Sequence, residues 1–128
     1  MSHFDKIETG AVGSQLSVIT AKGNLALRTQ ELTASGAVTA TVNHLQLNHA
    51  TVVIAATVAD ASTHEGLFVI TDTSASGTAA HTVTLTAGTF DGTSTVATLN
   101  APGECLIVCF DADGAGVVVA NIGGVALS

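Results

Sequence analysis

Hydrophobic and polar residues alternate with a period of two along several segments of the chain. Val38, Ala40 and Val42 alternate with threonines, and the same period runs through 44–48 and 82–86. In a β-strand every second side chain lies on the same face, so this period is typical of strands. The pattern therefore predicts three half-buried strands that have threonine or other polar residues on their second face.

Other segments are apolar without interruption, which is typical of strands covered on both faces. These runs are 51–58, 66–71, 104–110 and 117–121, and shorter strands are predicted at 96–99 and 125–127. The dipeptides Asp91-Gly92 and Asp113-Gly114 predict turns between strands. About eight short strands indicate an all-β fold, namely a small antiparallel sandwich, jelly roll or barrel.

Charge divides the chain into an N-terminal arm, 1–33, and a β body, 34–128. All three basic residues and three of the ten acidic residues lie in the arm, which is therefore neutral. The body carries seven acidic residues with no lysine or arginine, and so it holds the whole net charge of −7. The alternative is that 1–33 contributes edge strands to the same domain.

The arm holds every strong cationic donor of the chain, together with apolar anchors. An arm of this kind can become ordered on a partner and add a strand or clamp there. The predicted partner-binding residues are Phe4, Lys6, Ile7, Lys22 and Arg28.

Composition excludes several classes of function. Only 10% of residues are charged and 3% are aromatic, with no tryptophan or tyrosine. Nucleic-acid binding is not expected, because it needs clustered basic residues or stacking aromatics. We expect neither a membrane span nor a signal peptide, because the chain has no long apolar run and has acidic residues, Asp5 and Glu8, where a signal peptide has its basic segment. A surface with so few charges favours a symmetric oligomer that covers part of it.

No pattern of catalytic or metal-binding residues is present, and we expect a protein that is not an enzyme and needs no cofactor. The five histidines are scattered without metal-ligand spacing, although a trimer axis could bring three copies of one histidine together. The segment 111–116 resembles the start of a calcium loop but lacks its later ligands. A hairpin turn explains that segment fully.

Cys105 and Cys109 lie four positions apart in a predicted strand. Their Cα atoms would then be about 13 Å apart, which is too far for a disulfide. We expect both thiols to be reduced and buried, with Leu106, Val108 and Phe110 on the opposite face of a strand covered on both sides.

The second half of the chain contains segments that resemble a known group of proteins. It contains HTVTLT at 81–86, GTFDG at 88–92, TLNAPGE at 98–104 and VVVANIGGVALS at 117–128. These segments resemble the Thr/Ala/Gly-rich β modules of tailed-bacteriophage virion proteins, in particular capsid decoration (cement) proteins and trimeric fibre domains. The resemblance covers about 38–128 and leaves the arm out.

The resemblance implies a homotrimer on the surface of a virion, bound to the major capsid protein and stabilising the phage head. A fibre or adhesin module that binds a receptor, or a neck structural protein, is the alternative. The copy number in each virion distinguishes these roles.

Overall fold

The computed structural model describes residues 27–128, which form two five-stranded sheets. A short 3₁₀ turn at Ala61–His64 is the only helical element in this part of the chain. The strands are β1 (Thr29–Leu32), β2 (Gly36–Ala37), β3 (His44–Leu47), β4 (Ala55–Val58), β5 (Gly66–Asp72), β6 (His81–Leu85), β7 (Val96–Leu99), β8 (Cys105–Phe110), β9 (Gly116–Ile122) and β10 (Ala126–Leu127). The predicted all-β fold is confirmed as a sandwich rather than a closed barrel.

The sheets are mixed, which corrects the prediction of an antiparallel fold. The first sheet has the order β1-β3-β5-β8-β9 and the second has the order β10-β7-β6-β4-β2. Up to β6 every connection crosses from one sheet to the other. Strands that are neighbours in one sheet are thus two crossings apart and run parallel, as β1, β3 and β5 do. Antiparallel pairing begins with β7, which pairs with β6, and with β8, which pairs with β5.

The prediction of a strand over 38–42 is wrong, although the alternation there has a physical basis. Val38 and Val42 are buried, as the pattern indicated. They are held by a turn instead, in which the Val42 N–H donates to the Thr39 carbonyl and Thr41 has a left-handed φ of 73°. Two inward side chains separated by a turn give the same spacing as a strand.

The predicted strand over 51–58 begins later, at Ala55. The backbone N–H groups of Thr51 and Val52 donate to the Nδ1 atom of His49. These two donors are therefore satisfied by a side chain in a bend rather than by a neighbouring strand.

The end of the predicted arm is part of the first sheet. Strand β1 lies within 1–33 and pairs in parallel with β3, from Thr29 beside His44 to Leu32 beside Leu47. For these four residues the structure agrees with the alternative of an edge strand. Residues 1–26 lie outside the described part of the chain.

The core lies between the two sheets and is built from the inward side chains of both. Three of the four phenylalanines meet there. The ring of Phe68 lies 5.7 Å from that of Phe110, which lies 6.2 Å from that of Phe90. The same core cluster contains fully buried aliphatic residues: Leu45, Leu47, Ile54, Val58, Ile70, Val83, Leu99, Leu106 and Val108.

Candidate functional site

The first sheet has an outer face that is apolar on one half, over β5, β8 and β9. Alternation along these strands sends one set of side chains into the core and leaves the other set outside. We call the outward set the outer apolar strip. It consists of Leu67, Val69, Thr71, Cys105, Ile107, Cys109, Val117, Ala120 and Ile122.

The strand register arranges the outer apolar strip in three rows of three. Cys109 lies between Leu67 and Val117 in the first row. Ile107 lies between Val69 and Ala120 in the second row, and Cys105 lies between Thr71 and Ile122 in the third. Side chains directly opposite each other across a strand pair are in contact distance, so the rows form one continuous surface. No member of this surface carries a formal charge.

The part of the strip on β9 is the most exposed. Val117 is 68% exposed and Ile122 is 55% exposed. Val119 lies between them and has no partner on β8, because the strand register shifts there. Val108 pairs with Val118, and the next residue toward the start of β8, Ile107, pairs with Ala120. This β-bulge adds a further exposed valine at the edge of the sheet.

The outer apolar strip corrects two predictions about the apolar runs. Leu106, Val108 and Phe110 point into the core as predicted, but no residue on the opposite face of β8 is buried. Cys105 and Cys109 are unpaired, as predicted, but Cys105 is only half-buried and Cys109 is exposed. A continuous run of apolar residues in β8 and β9 therefore marks a sheet face that is open in one chain.

The other half of the same face is polar and belongs to β1 and β3. The His44 ring lies between two threonines, with Nδ1 3.2 Å from the Thr29 hydroxyl and Nε2 3.3 Å from the Thr71 hydroxyl. Partial burial lowers the pKa of His44 below its ordinary value of 6.5, because burial disfavours the imidazolium. The sheet face thus changes at β5 from a polar half, which carries the exposed Glu31 carboxylate on β1, to an apolar half.

Two other histidines serve the backbone where the chain crosses between the sheets. His81 is fully buried, and its Nδ1 atom accepts the N–H of Ile54 at 3.0 Å. Its Nε2 atom must then carry the proton, which it donates to the His49 carbonyl at 3.0 Å. Ser74 joins the same network, since its hydroxyl donates to the His49 carbonyl and accepts the His49 N–H. These side chains hold the crossing segments together.

His64 ends the 3₁₀ turn and is also buried. Its Nδ1–H donates to the Val42 carbonyl at 2.5 Å, and its ring packs at 5.0 Å against the ring of Phe68. This contact fixes the turn at 38–42 against the first sheet. The His64 imidazole therefore has a structural role.

The acidic residues lie mainly in turns, where their carboxylates accept backbone N–H groups. Hydrogen bonds from Ser62, first from its side chain and then from its backbone, lower the pKa of Asp60. Backbone N–H groups of Ser94 and then Thr93 lower the pKa of Asp91. The buried Glu104 accepts the N–H groups of two residues in the turn before β8.

The calcium-like segment 111–116 is a hairpin turn, as the sequence indicated. The Asp111 carboxylate accepts the N–H groups of Asp113 and Ala115, each at 2.9 Å. Within residues 27–128 no three histidine, cysteine, aspartate or glutamate side chains are grouped so that they could hold a metal ion.

Of the predicted partner-binding residues, only Arg28 lies in the described part of the chain. Its backbone is fixed beside β3, because its N–H donates to the side chain of Asn43 and its carbonyl accepts the N–H groups of Asn43 and His44. Phe4, Lys6, Ile7 and Lys22 lie outside the described residues. The partner-binding role of this set therefore stays a prediction.

Sequence reasoning missed the outer apolar strip, although a signal for it was present. The run Val117-Val118-Val119 has no polar residue on either face, and the Cys105–Phe110 run has none either. Where two such strands lie in the outer part of a two-layer sandwich, one face stays open unless a further segment or another chain covers it.

No family model matches the chain, and neither a curated protein nor a solved structure matches it. Across residues 27–128, no helix is long and apolar enough to cross a bilayer.

Proposed function

We propose that the protein is a structural subunit of a tailed-bacteriophage virion, a capsid decoration protein that binds and stabilises the head as a homotrimer. The observation that carries this proposal is the outer apolar strip, the half of a sheet face on β5, β8 and β9 that carries no formal charge. Its most exposed residues, Val117 and Ile122, lie on β9 at one sheet edge, where the bulged Val119 adds a third exposed apolar side chain. A contiguous exposed apolar patch is characteristic of a surface that another protein covers.

The internal use of the polar side chains supports the same proposal. His49, His64 and His81 bond to backbone groups, and so do Asp60 and Glu104. Side chains that are committed to turns and crossings rigidify the sandwich. A rigid body loses little conformational entropy on binding, so more of its contact energy is retained as affinity.

The mechanism that we propose for head stabilisation is avidity. Three copies joined in one trimer would present three contacts to neighbouring capsid subunits, so that the second and third contacts form at a high effective concentration. Weak single contacts then hold the subunits together against the pressure of packaged DNA. The acidic body would lie on the outside, away from that DNA.

In this proposal the arm supplies the contact with the major capsid protein, through Phe4, Lys6, Ile7, Lys22 and Arg28. Its basic groups complement an acidic capsid surface. With three such groups in each chain the electrostatic contribution is modest, and salt should weaken binding only slightly.

The test is a count of copies in purified particles of the phage that encodes the chain, by quantitative mass spectrometry. A decoration protein is present in numbers comparable with those of the major capsid protein. A fibre or neck protein is present only in the few copies that one vertex needs, and that result would refute the proposal.

The contribution of the arm is tested by adding full-length protein to expanded heads that lack it and measuring co-sedimentation. Lys6→Gln and Lys22→Gln should each bind more weakly than the original chain. The matched control is Ala112→Glu, which lowers the net charge by the same amount at an exposed turn position. Equal binding by all of these variants would mean that the arm is not the anchor.

A further inference from the structure

We infer that the outer apolar strip is the contact between copies of this chain, with three copies of the strip lining a three-fold axis. This inference rests on the proposed function only for the number of copies; the location of the contact comes from the sheet. The occupant of the strip is therefore a further copy of the same chain.

The distribution of charge favours a copy of the chain over another partner. The seven carboxylates of residues 34–128 all lie off the strip, in turns or buried at strand ends. Glu31 lies on the same sheet face but on β1, two strands away from β5 and outside the strip. Like-charged copies repel each other, so their contact costs least where no carboxylate is brought into it. A basic partner would instead be attracted to acidic turns such as that of Asp111 and Asp113, which are exposed.

The width of the strip fits a three-fold arrangement. Three strands about 4.8 Å apart make a strip roughly 14 Å wide. If three copies of the strip form the sides of a triangular prism, each sheet lies about 4 Å from the three-fold axis. This distance is close to half the ~10 Å that separates two packed sheets. Three strips can therefore close around an axis without leaving a channel.

This arrangement places the middle strand nearest the axis. The side chains of Cys105, Ile107 and Cys109 on β8 would meet their counterparts there, while those of β5 and β9 would pack against the neighbouring copies. The polar half of the face, around His44, would form the rim of each contact. An apolar centre with a polar rim is the usual anatomy of a protein interface.

The area of the strip indicates a contact of moderate strength. Three strands of about six residues cover roughly 300 Å² of sheet, and about 500 Å² when β3 and β1 are included. A standard interface buries about 800 Å² of accessible surface on each partner. We therefore expect assembly that depends on protein concentration.

The experiment measures the mass of the full-length chain by light scattering over a range of concentrations. The expected mass is three times the chain mass of 12.7 kDa. Val117→Asp and Ile122→Asp should raise the concentration for half-assembly by at least about 100-fold, because each places three carboxylates in an apolar contact. Circular dichroism should show that both variants keep the strand content of the original chain, because both positions are exposed in the single chain.

The matched control is Val52→Asp. Val52 is 57% exposed, as much as Ile122, but it lies in the bend before β4 and not on the strip. This variant should assemble like the original chain. If it dissociates the trimer as strongly as the strip variants do, the inference is overturned.

Cys109 supplies a second readout that needs no substitution. In the single chain its thiol is exposed, whereas in the trimer it would lie near the axis. Alkylation of Cys109 without denaturant should be at least about 10-fold slower above the assembly concentration than below it. A rate that does not change with concentration would contradict the inference.

The outcomes separate this inference from the proposed function. A chain that decorates heads but is a monomer or dimer in solution and on the particle overturns the inference, together with the homotrimer and the avidity in the proposed function, but leaves decoration of the head standing. A chain that trimerises through the strip but is absent from the head refutes the proposed function alone. A mass that Val117→Asp and Ile122→Asp leave unchanged shows that the copies meet elsewhere.

Discussion

The substitution Phe110→Ala tests how the core of the sandwich is held together. Phe110 ends β8, is 2% exposed and packs against the rings of Phe68 and Phe90 at 5.7 and 6.2 Å. Its partners across the sheet are Gly66 on β5 and Gly116 on β9, neither of which has a side chain that could move into a cavity. We therefore expect the free energy of unfolding to fall by about 4–5 kcal/mol, the upper part of the range for replacing a buried phenylalanine by alanine.

The measurement is equilibrium unfolding in urea at one fixed chain concentration, since association would stabilise the folded state by mass action. With an m-value of about 2 kcal/mol per molar urea, the loss corresponds to a midpoint lower by roughly 2 M. The control Val53→Ala removes atoms from an exposed valine and should change stability by less than about 0.5 kcal/mol. An unchanged midpoint for Phe110→Ala would refute the packing described above.

The remaining predictions concern backbone strain and pH. Gly77→Ala should lower the free energy of unfolding by more than about 1 kcal/mol, because φ is 101° there and an added Cβ would lie 1.8 Å from the Ala50 carbonyl oxygen. At Gly92, where φ is 94° and no atom lies near the added Cβ, only the backbone strain applies, so Gly92→Ala should cause a smaller loss of thermal stability. The folded-state pKa of His44 is below 6.5, so the unfolded chain binds more protons than the folded chain as pH falls. The urea midpoint should therefore decrease from about pH 7.5 to 5.5, and His44→Gln should reduce that decrease. The pKa of Asp91 is lowered below 3.8, so the stability that its carboxylate contributes is lost as pH falls from about 3.8 through the folded-state pKa. The urea midpoint of Asp91→Asn should therefore decrease less in acid than that of the original chain.

The strands themselves could be predicted largely from the sequence, because periodicity is a local property. His81–Leu85 alternates with the threonines outward, and the structure has a strand there with its histidine, valine and leucine buried. The segments 96–99 and 104–110 were also placed to within a residue. The turn at Asp113-Gly114 joins β8 to β9 as an antiparallel pair, as expected for that dipeptide.

The pairing of the strands could not be predicted in the same way. A connection that crosses to the other sheet has about the same length as a loop between hairpin strands, and periodicity does not distinguish them. The evidence for a crossing lies in side chains far apart in sequence, such as His81, which binds the N–H of Ile54 and the carbonyl of His49. Nothing local to position 81 indicates those partners.

The candidate site was missed because an apolar run does not reveal what covers it. The apolar run 117–121 predicts a strand covered on both faces, but Val117 and Val119 are exposed. The prediction that this surface requires cover came from composition, whereas its location requires the sheet order that puts β9 at an edge.

The position of β5 between a parallel and an antiparallel neighbour has a consequence for biosynthesis. Its parallel partner β3 precedes it on the chain, but its antiparallel partner β8 lies 34 to 44 residues later, from Thr71 beside Cys105 to Gly66 beside Phe110. At a translation rate of about 5–20 residues per second, β8 leaves the ribosome roughly 2–9 s after β5. During that interval the nascent chain presents β5 as an unprotected apolar edge, the kind of template on which chains aggregate. Production of the soluble protein should therefore improve at lower temperature or with chaperones that shield that edge until β8 arrives.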